Sequence, residues 1–580
     1  MTDTELLGLP REPLTRGFRR ASTWRRSWSG VRRLGLVTVL AWTAIVLALT
    51  VGVVLRAWYV FHQPINADEA VVGLMAMQIV HGHFSAFYWG QVYGGAEPFL
   101  VAMLFGIFGT STWALEAVAI ALSVGAAVVS WRIARRLVAD PLLAVLAGAL
   151  VWAAPQAAVW NSTIELGFRG VTLLCGLGIL LVALRVLDGA LGWAEFVALG
   201  LLAGVGWWSS PEIVYFVLPT VALVIWAIVQ DPEIRRLGRW SARLGVVITA
   251  GVVGALPWLW ANFNSGFRSL DTSAFVAPPN PPGYGSRLEL FFRDGLPMLF
   301  SLRTAETLQP VWGSVGMRLL LVAVLAVLGA ALVLCCVKGG RSLVLAASVV
   351  IFPFIMALSP ATWFEKDGRY SDFVAPLIVF VLVIGSGEAA QWVGVLRRRW
   401  ARHEIDVARA LMSTVVISLV VLSIVNFTSY EPYVYPTASF GSGWTNPDAP
   451  TLQAISELET AGIQYGYADY WVAYRLDFLS DGRLAITTAG GDVDRWHALI
   501  RQVQGSRRQA WLFVNPDAEA IEQFAKTSYI QGPDGLSQSA FLAGLQRLGI
   551  GYRIIDTGLI QAVVPNRPVQ PSTVGLPGGP

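Results

Sequence analysis

Long apolar runs separated by brief polar punctuation dominate the first three-quarters of this chain. A membrane span needs about 20 apolar residues. Runs near 34–57, 113–131, 141–158, 170–187, 193–208, 212–230, 243–261, 313–336, 342–358, 373–390 and 407–426 approach or reach that length, which predicts about 11 transmembrane helices. One further run, 95–109, is short enough to cross or to lie along the surface. From about 445 the pattern changes. "TLQAISELETAGI" has helical periodicity, "AWLFV" reads as a strand, "PDAEAIEQFAK" as a helix, and "GYRIID" with "GLIQAVV" as a closing strand pair. The expected organisation is a basic N-terminal tail (1–33), a transmembrane domain (34–430), a small α/β domain (431–565) and a tail disordered by composition (566–580).

Composition sharpens this reading. Of 580 residues, 55% are hydrophobic and only 14% charged, where a soluble domain carries about a quarter. The chain is therefore expected to be an α-helical polytopic membrane protein. A net charge of +4 with no basic face gives no reason to expect a nucleic-acid partner. Cys175, Cys335 and Cys336 all sit inside apolar runs, where neither a disulfide nor a zinc ribbon is expected.

Charge also decides the ambiguous run. If the N-terminus is cytoplasmic and 95–109 does not cross, then Arg132, Arg135, Arg136, Arg185, Arg235, Arg236, Lys338, Arg341 and Arg397 fall on the cytoplasmic side. If it crosses, those cations move outside while the basic N-terminus stays in, against the positive-inside rule. The run is therefore expected to be a juxtamembrane or re-entrant helix. That places Asp68 and Glu69, the loops near 261–312 and 359–372, and the C-terminal domain on the outer face.

Candidate chemistry concentrates in those outer segments. In "INADEAVVGLMAMQIVHGHF", Asp68 and Glu69 could activate an acceptor hydroxyl or orient a sugar or metal. The same residues, behind Asn66, also suit a helix N-terminus. His81 and His83 have no third ligand nearby, so a divalent metal has no clear ligand set and its identity stays unknown. Glu97, opening the juxtamembrane run, is a third acid that could be a cap or could face the same cavity. "WNSTIELGFRG" adds Glu165 and Arg169 to this side. In "WFEKDGRYSDF", Lys366, Arg369 and Tyr370 could clamp a phosphate. The alternatives there are lipid head-group contact or ion pairing with Asp367 or Asp372. Tyr467, Tyr470, Trp471 and Tyr474 could stack on sugar or simply fill a core. No P-loop, GxSxG or HExxH motif is present. A competing function, a transporter or flippase of lipid-linked saccharide with an outer sensing domain, predicts ionisable residues in mid-span, and these runs carry their charges at the ends.

The stretch from "NADEAVV" to "MLFGIFGTS" resembles the first outer loop of bacterial membrane glycosyltransferases of the GT-C class, of the protein O-mannosyltransferase and aminoarabinose-transferase type. "DGRY…PL" (Gly368 to Leu377) and "YADYWVAYRLDFLSDGRL" are similar to a late outer loop and a C-terminal segment of that class. The resemblance implies a GT-C-like fold in a bacterial plasma membrane. It implies a polyprenyl-phosphate sugar donor and an envelope acceptor (protein, lipid or polysaccharide). By the resemblance Asp68 would be the catalytic or acceptor-orienting carboxylate, Glu69 a supporting residue and Arg369 a donor-phosphate ligand. The residues themselves add Glu97 and Glu165 as supporting or metal- or acceptor-orienting groups, and Lys366 and Tyr370 as phosphate ligands beside Arg369. The aminoarabinose-transferase type carries a Lys-Pro-Pro element where this chain reads "GGAEPF", so Arg369 or Lys366 would have to replace that lysine.

Overall fold

The computed structural model describes residues 35–576 apart from 231–239, 271–281, 306, 364–365, 397–403, 435–445, 491–494 and 517–531. The basic tail and the helix expected within 516–526 lie almost wholly outside the described residues. Each of the apolar runs forms helix. The first nine helices are α1 (Leu36–His62), α2 (Ala67–Val80), α3 (Glu97–Phe108), α4 (Thr112–Leu137), α5 (Pro141–Ala153), α6 (Gln156–Asn161), α7 (Arg169–Leu187), α8 (Trp193–Ser209) and α9 (Val214–Gln230).

Among the described residues, seven helices are long and apolar enough to cross a membrane. An eighth span results if Trp240–Gly254 and Leu256–Ser265, bent by 63°, cross together. The expected count of about 11 thus includes helices at or below the lower limit: α5 has 13 residues, while α8 and Gly340–Met356 have 17 each. α3, with 12 residues, reaches only ~18 Å, too short for a hydrocarbon core of about 30 Å. It buries Val101, Ala102 and Phe105 while Met103, Ile107 and Phe108 stay exposed, as suits a helix lying at a membrane surface.

Small residues set the closest helix crossing. A Cβ at Gly200 would meet the Val247 carbonyl at 2.3 Å, and one at Gly204 the Gly251 carbonyl at 2.1 Å. Without side chains there, α8 and Trp240–Gly254 pack backbone to backbone. One end of the bundle gathers paired cations: Arg136 and Arg341 both reach Asp188 at 2.6 Å, Lys338 reaches Glu388 at 2.7 Å, and Arg409 reaches Asp140 at 2.7 Å. The opposite end carries α2, α3 and a smaller α/β domain.

That domain is a five-stranded sheet in the order β2-β1-β3-β5-β4, with β1 (Tyr465–Tyr467), β2 (Ala485–Thr487), β3 (Ala510–Val514), β4 (Tyr552–Asp556) and β5 (Ile560–Pro565). β1, β2 and β3 are parallel, whereas β5 runs antiparallel to both β3 and β4. β3 is buried at every position, which is why "AWLFV" reads as an unbroken apolar run. Residues 566–576, expected to be disordered, instead pack on the sheet domain. Val569 is buried and its amide donates to Gln509 Oε1 at 3.2 Å.

The domain does not hang free of the bundle. One continuous apolar core joins Val71, Leu74 and Met75 of α2 and Leu115 of α4 to Tyr474, Phe478 and Trp511. A Cβ at Gly73 would lie 2.4 Å from the Phe478 ring, so the glycine is what lets the Tyr470–Leu479 helix sit down on α2.

Candidate active site

α2 opens with a reciprocal capping box. Asn66 Oδ1 accepts the Glu69 amide at 3.0 Å, and Glu69 Oε2 accepts the Asn66 amide at 3.1 Å. The other Glu69 oxygen accepts the Glu165 amide at 3.3 Å, and the side chain is buried. Both of its carboxylate oxygens are thus spent on backbone. These bonds tie the start of α2 to the segment that carries Glu165.

Asp68, its neighbour, points another way, as adjacent helical residues must. Asp68 Oδ1 accepts the Tyr470 hydroxyl from the sheet domain, and its backbone carbonyl accepts the Tyr88 hydroxyl at 3.0 Å. Oδ2 has no hydrogen-bond partner among the described residues. Tyr88 stands on a tight turn closed by Tyr88 N to Tyr93 O at 2.9 Å, and Gly95 is required there because a Cβ would meet the Ala86 carbonyl at 2.1 Å.

Glu97 caps a helix other than its own. Its Oε1 accepts the Val171 amide at 2.7 Å in the first turn of α7, where negative charge suits the helix dipole. Glu165 Oε1 accepts the Gly167 amide at 3.0 Å. The two buried carboxyls face each other. Burial first, then the Glu97 carboxyl, push Glu165 well above the ordinary carboxylate range. Burial raises Glu97 as well, with its contacts to Glu165 and Val171 working in the opposite direction. Glu165 Oε2 has no hydrogen-bond partner among the described residues.

Between α4, α5, α7 and the Ser371–Val393 span lies a cavity of about 110 Å³. Its polar lining includes Arg56, Glu97, Glu165, Arg169, Arg369 and Asp372, and its apolar lining Leu122, Val151, Leu173 and Phe373. Arg369 sits on Asp367: the side chains pair directly, and the Arg369 amide donates to Asp367 Oδ1 at 3.0 Å. Burial works against the Arg369 charge, but Asp367, Tyr370 and Asp68 outweigh it and hold the guanidinium protonated. Tyr370 is buried behind the cavity wall with Arg169 above its ring at 5.2 Å, so it shapes the site from outside. Lys366 is exposed and is not among the residues that line this cavity.

Sequence reasoning placed Arg169 on the outer side without giving it a role, and it lines the cavity beside Arg369 and Arg56. Arg169 presents three buried nitrogens, Nε, Nη1 and Nη2, none of which has a hydrogen-bond partner among the described residues. It also opens α7, where a positive charge opposes the helix dipole. That position, a cation directly before an apolar run, was the legible signal. Among the described residues no group of three or more His, Cys, Asp or Glu is arranged to hold a metal ion. His81 is exposed and bonded to the Met77 carbonyl, and His83 is exposed.

No protein-family model matches this sequence, and no curated protein matches it. Similarity emerges from the fold. The crystal structure of ArnT from Cupriavidus metallidurans bound to undecaprenyl phosphate superposes with a TM-score of 0.52 at 12% identity, over 92% of this chain and 99% of ArnT. The same protein in its apo state gives 0.53 at 13% identity, over 90% of this chain and 98% of ArnT. The chain is a polytopic membrane protein with the fold of GT-C membrane glycosyltransferases.

Proposed function

We propose that the protein is a membrane glycosyltransferase that moves a sugar from a polyprenyl-phosphate-linked donor to an acceptor hydroxyl at the outer face of the plasma membrane. The observation that carries this reading is the cavity itself. It lies among spans, its lining is mostly apolar, and it holds Arg369 and an Arg169 whose three buried nitrogens have no hydrogen-bond partner among the described residues. A lipid phosphate has that same mixed character, and a guanidinium is well matched to phosphate oxygens. The ArnT structure that superposes on the chain holds undecaprenyl phosphate, which supports the same class of donor here. The cations at the far end of the bundle support an outward-facing site by the positive-inside rule.

The chemistry follows from the charges. An acceptor hydroxyl gives its proton to Asp68 Oδ2 as its oxygen attacks the anomeric carbon. The bond from that carbon to the phosphate oxygen breaks, and its electron pair leaves with the polyprenyl phosphate. Arg169 and Arg369 stabilise the anion so formed. Glu97 and Glu165, both raised by burial, carry less negative charge beside that phosphate than two exposed carboxylates would. Glu97 also fixes the start of α7 and with it Arg169.

The test is transfer by the full-length protein in nanodiscs, offered a panel of polyprenyl-phosphate sugars and an extract of envelope acceptors. Movement of label from one lipid donor into an acceptor is expected. Failure of the protein to bind any polyprenyl phosphate would remove the reading.

A further inference from the structure

The sheet domain is held on α2 at three points. The Ile65 amide, just ahead of the capping box, donates to Asp448 Oδ1 at 3.2 Å, and Asp448 is itself paired with the buried Arg475 at 2.8 Å. Phe478 occupies the space left by Gly73. Between these two anchors, the Tyr470 hydroxyl donates to Asp68 Oδ1. The two residues are 402 positions apart in sequence.

We propose that Tyr470, supplied by the C-terminal domain, is the positioning residue for the Asp68 carboxylate, which makes that domain part of the catalytic apparatus. This rests on the transferase reading above. By occupying Oδ1, the hydroxyl fixes the carboxylate rotamer and leaves Oδ2 as the one oxygen open to an acceptor proton. Tyr470 is built to stay still. It is buried, and its ring lies edge-on to Trp471 at 5.3 Å and to Tyr474 at 5.4 Å. Burial first, then the Asp68 charge, push its hydroxyl above the ordinary tyrosine range, so it remains a donor.

Arg495 completes the arrangement. Its guanidinium lies 5.3 Å from the Tyr88 ring and 5.6 Å from the Tyr470 ring, and its backbone amide donates to the Tyr474 hydroxyl at 2.8 Å. The two tyrosines whose hydroxyls bond Asp68 thus share one cation, and the Tyr470–Leu479 helix anchors that cation's backbone. The other aromatic residues of the segment do a different job. Tyr467 is fully buried, and its hydroxyl meets no hydrogen-bond partner among the described residues.

The experiment compares full-length wild type, Tyr470→Phe, Asp68→Asn, their double variant and Tyr467→Phe in nanodiscs. Sugar transfer and undecaprenyl phosphate binding are both measured. Loss of the positioning bond is expected to lower kcat on the order of 10- to 100-fold. The KM for lipid donor and the Kd for undecaprenyl phosphate should stay within about twofold of wild type. The double variant should be no slower than Asp68→Asn alone, because Tyr470 acts through that carboxylate. Tyr467→Phe should match wild type. Tyr470→Phe working at the wild-type rate, or its loss multiplying with that of Asp68→Asn, would overturn the proposal while the transferase reading stood. A wild type that transfers no sugar from any donor would overturn both.

Discussion

Replacing Arg169 by methionine separates a binding residue from a structural one. A guanidinium retained for stability would be paired, and removing it would strand its partners at a cost of about 3–5 kcal/mol. Arg169 instead leaves three buried nitrogens unpartnered and stands at the positive end of α7. Each buried donor without a protein partner costs about 1–3 kcal/mol, a cost that the substitution removes. Methionine fills similar space with a flexible apolar chain. Working against this gain is the loss of a cation near Glu97 and Asp372, both of which feel its charge. Glu97 is already raised by burial and can take up a proton in response. The two effects oppose each other, and the apparent melting midpoint in detergent is expected to move by less than about 2 °C. Donor affinity should respond differently. Two charge-assisted hydrogen bonds to phosphate, at about 1.5 kcal/mol each, amount to about 3 kcal/mol. That corresponds to a Kd for undecaprenyl phosphate weakened roughly 100-fold. Thermal unfolding and titration of the lipid phosphate in nanodiscs measure the two quantities on the same sample. A variant that melts far lower yet binds the lipid phosphate as wild type does would refute the reasoning.

Two other substitutions probe the neighbourhood. Glu165→Gln keeps a donor toward Glu97 and removes a titrating group. Because Glu165 is raised in the folded state, that state binds more protons than the unfolded chain. Wild-type stability is therefore lost progressively as pH rises above the ordinary glutamate value of about 4.3. Melting midpoints from acid to alkaline pH should fall less steeply for Glu165→Gln, and parallel curves would show that folding does not raise the Glu165 carboxyl. Gly73→Val places side-chain atoms where Phe478 now lies, at 2.4 Å from the added Cβ, and should lift the sheet domain off α2. Faster limited proteolysis of the sheet domain, with kcat reduced at least tenfold, is the expected outcome. Wild-type cleavage kinetics would show that α2 and the Tyr470–Leu479 helix have room to spare.

Local rules made much of this fold legible and long-range packing hid the rest. "NADEA" carries its capping box openly: an Asn with a Glu three residues on, so the role of Glu69 follows from spacing. Loop charge gave the non-crossing position of α3, and a 12-residue helix with an exposed apolar face agrees with it. Span number was less readable, because hydropathy cannot tell a helix ended by Pro155, as α5 is, from a full crossing. The site was half visible. Asp68 and Arg369 stood out as charges at predicted span ends. Nothing local indicates that Glu97 would cap α7, that Lys366 would stand outside the cavity lining, or that a residue 402 positions downstream would hold Asp68. Such pairings are set by which surfaces the bundle and the sheet domain bring together. Tyr470 was noticed only as one member of an aromatic segment whose other residues are mostly core.

The most direct test of the account is the turnover of Asp68→Asn. Asparagine keeps the shape of the side chain and can still accept the Tyr470 hydroxyl, but it cannot take a proton from an acceptor. Turnover should fall on the order of 10²- to 10⁴-fold, with undecaprenyl phosphate binding within about twofold of wild type. Full turnover by Asp68→Asn would leave Asp68 a helix-end charge, and the carboxylate-base mechanism would be contradicted.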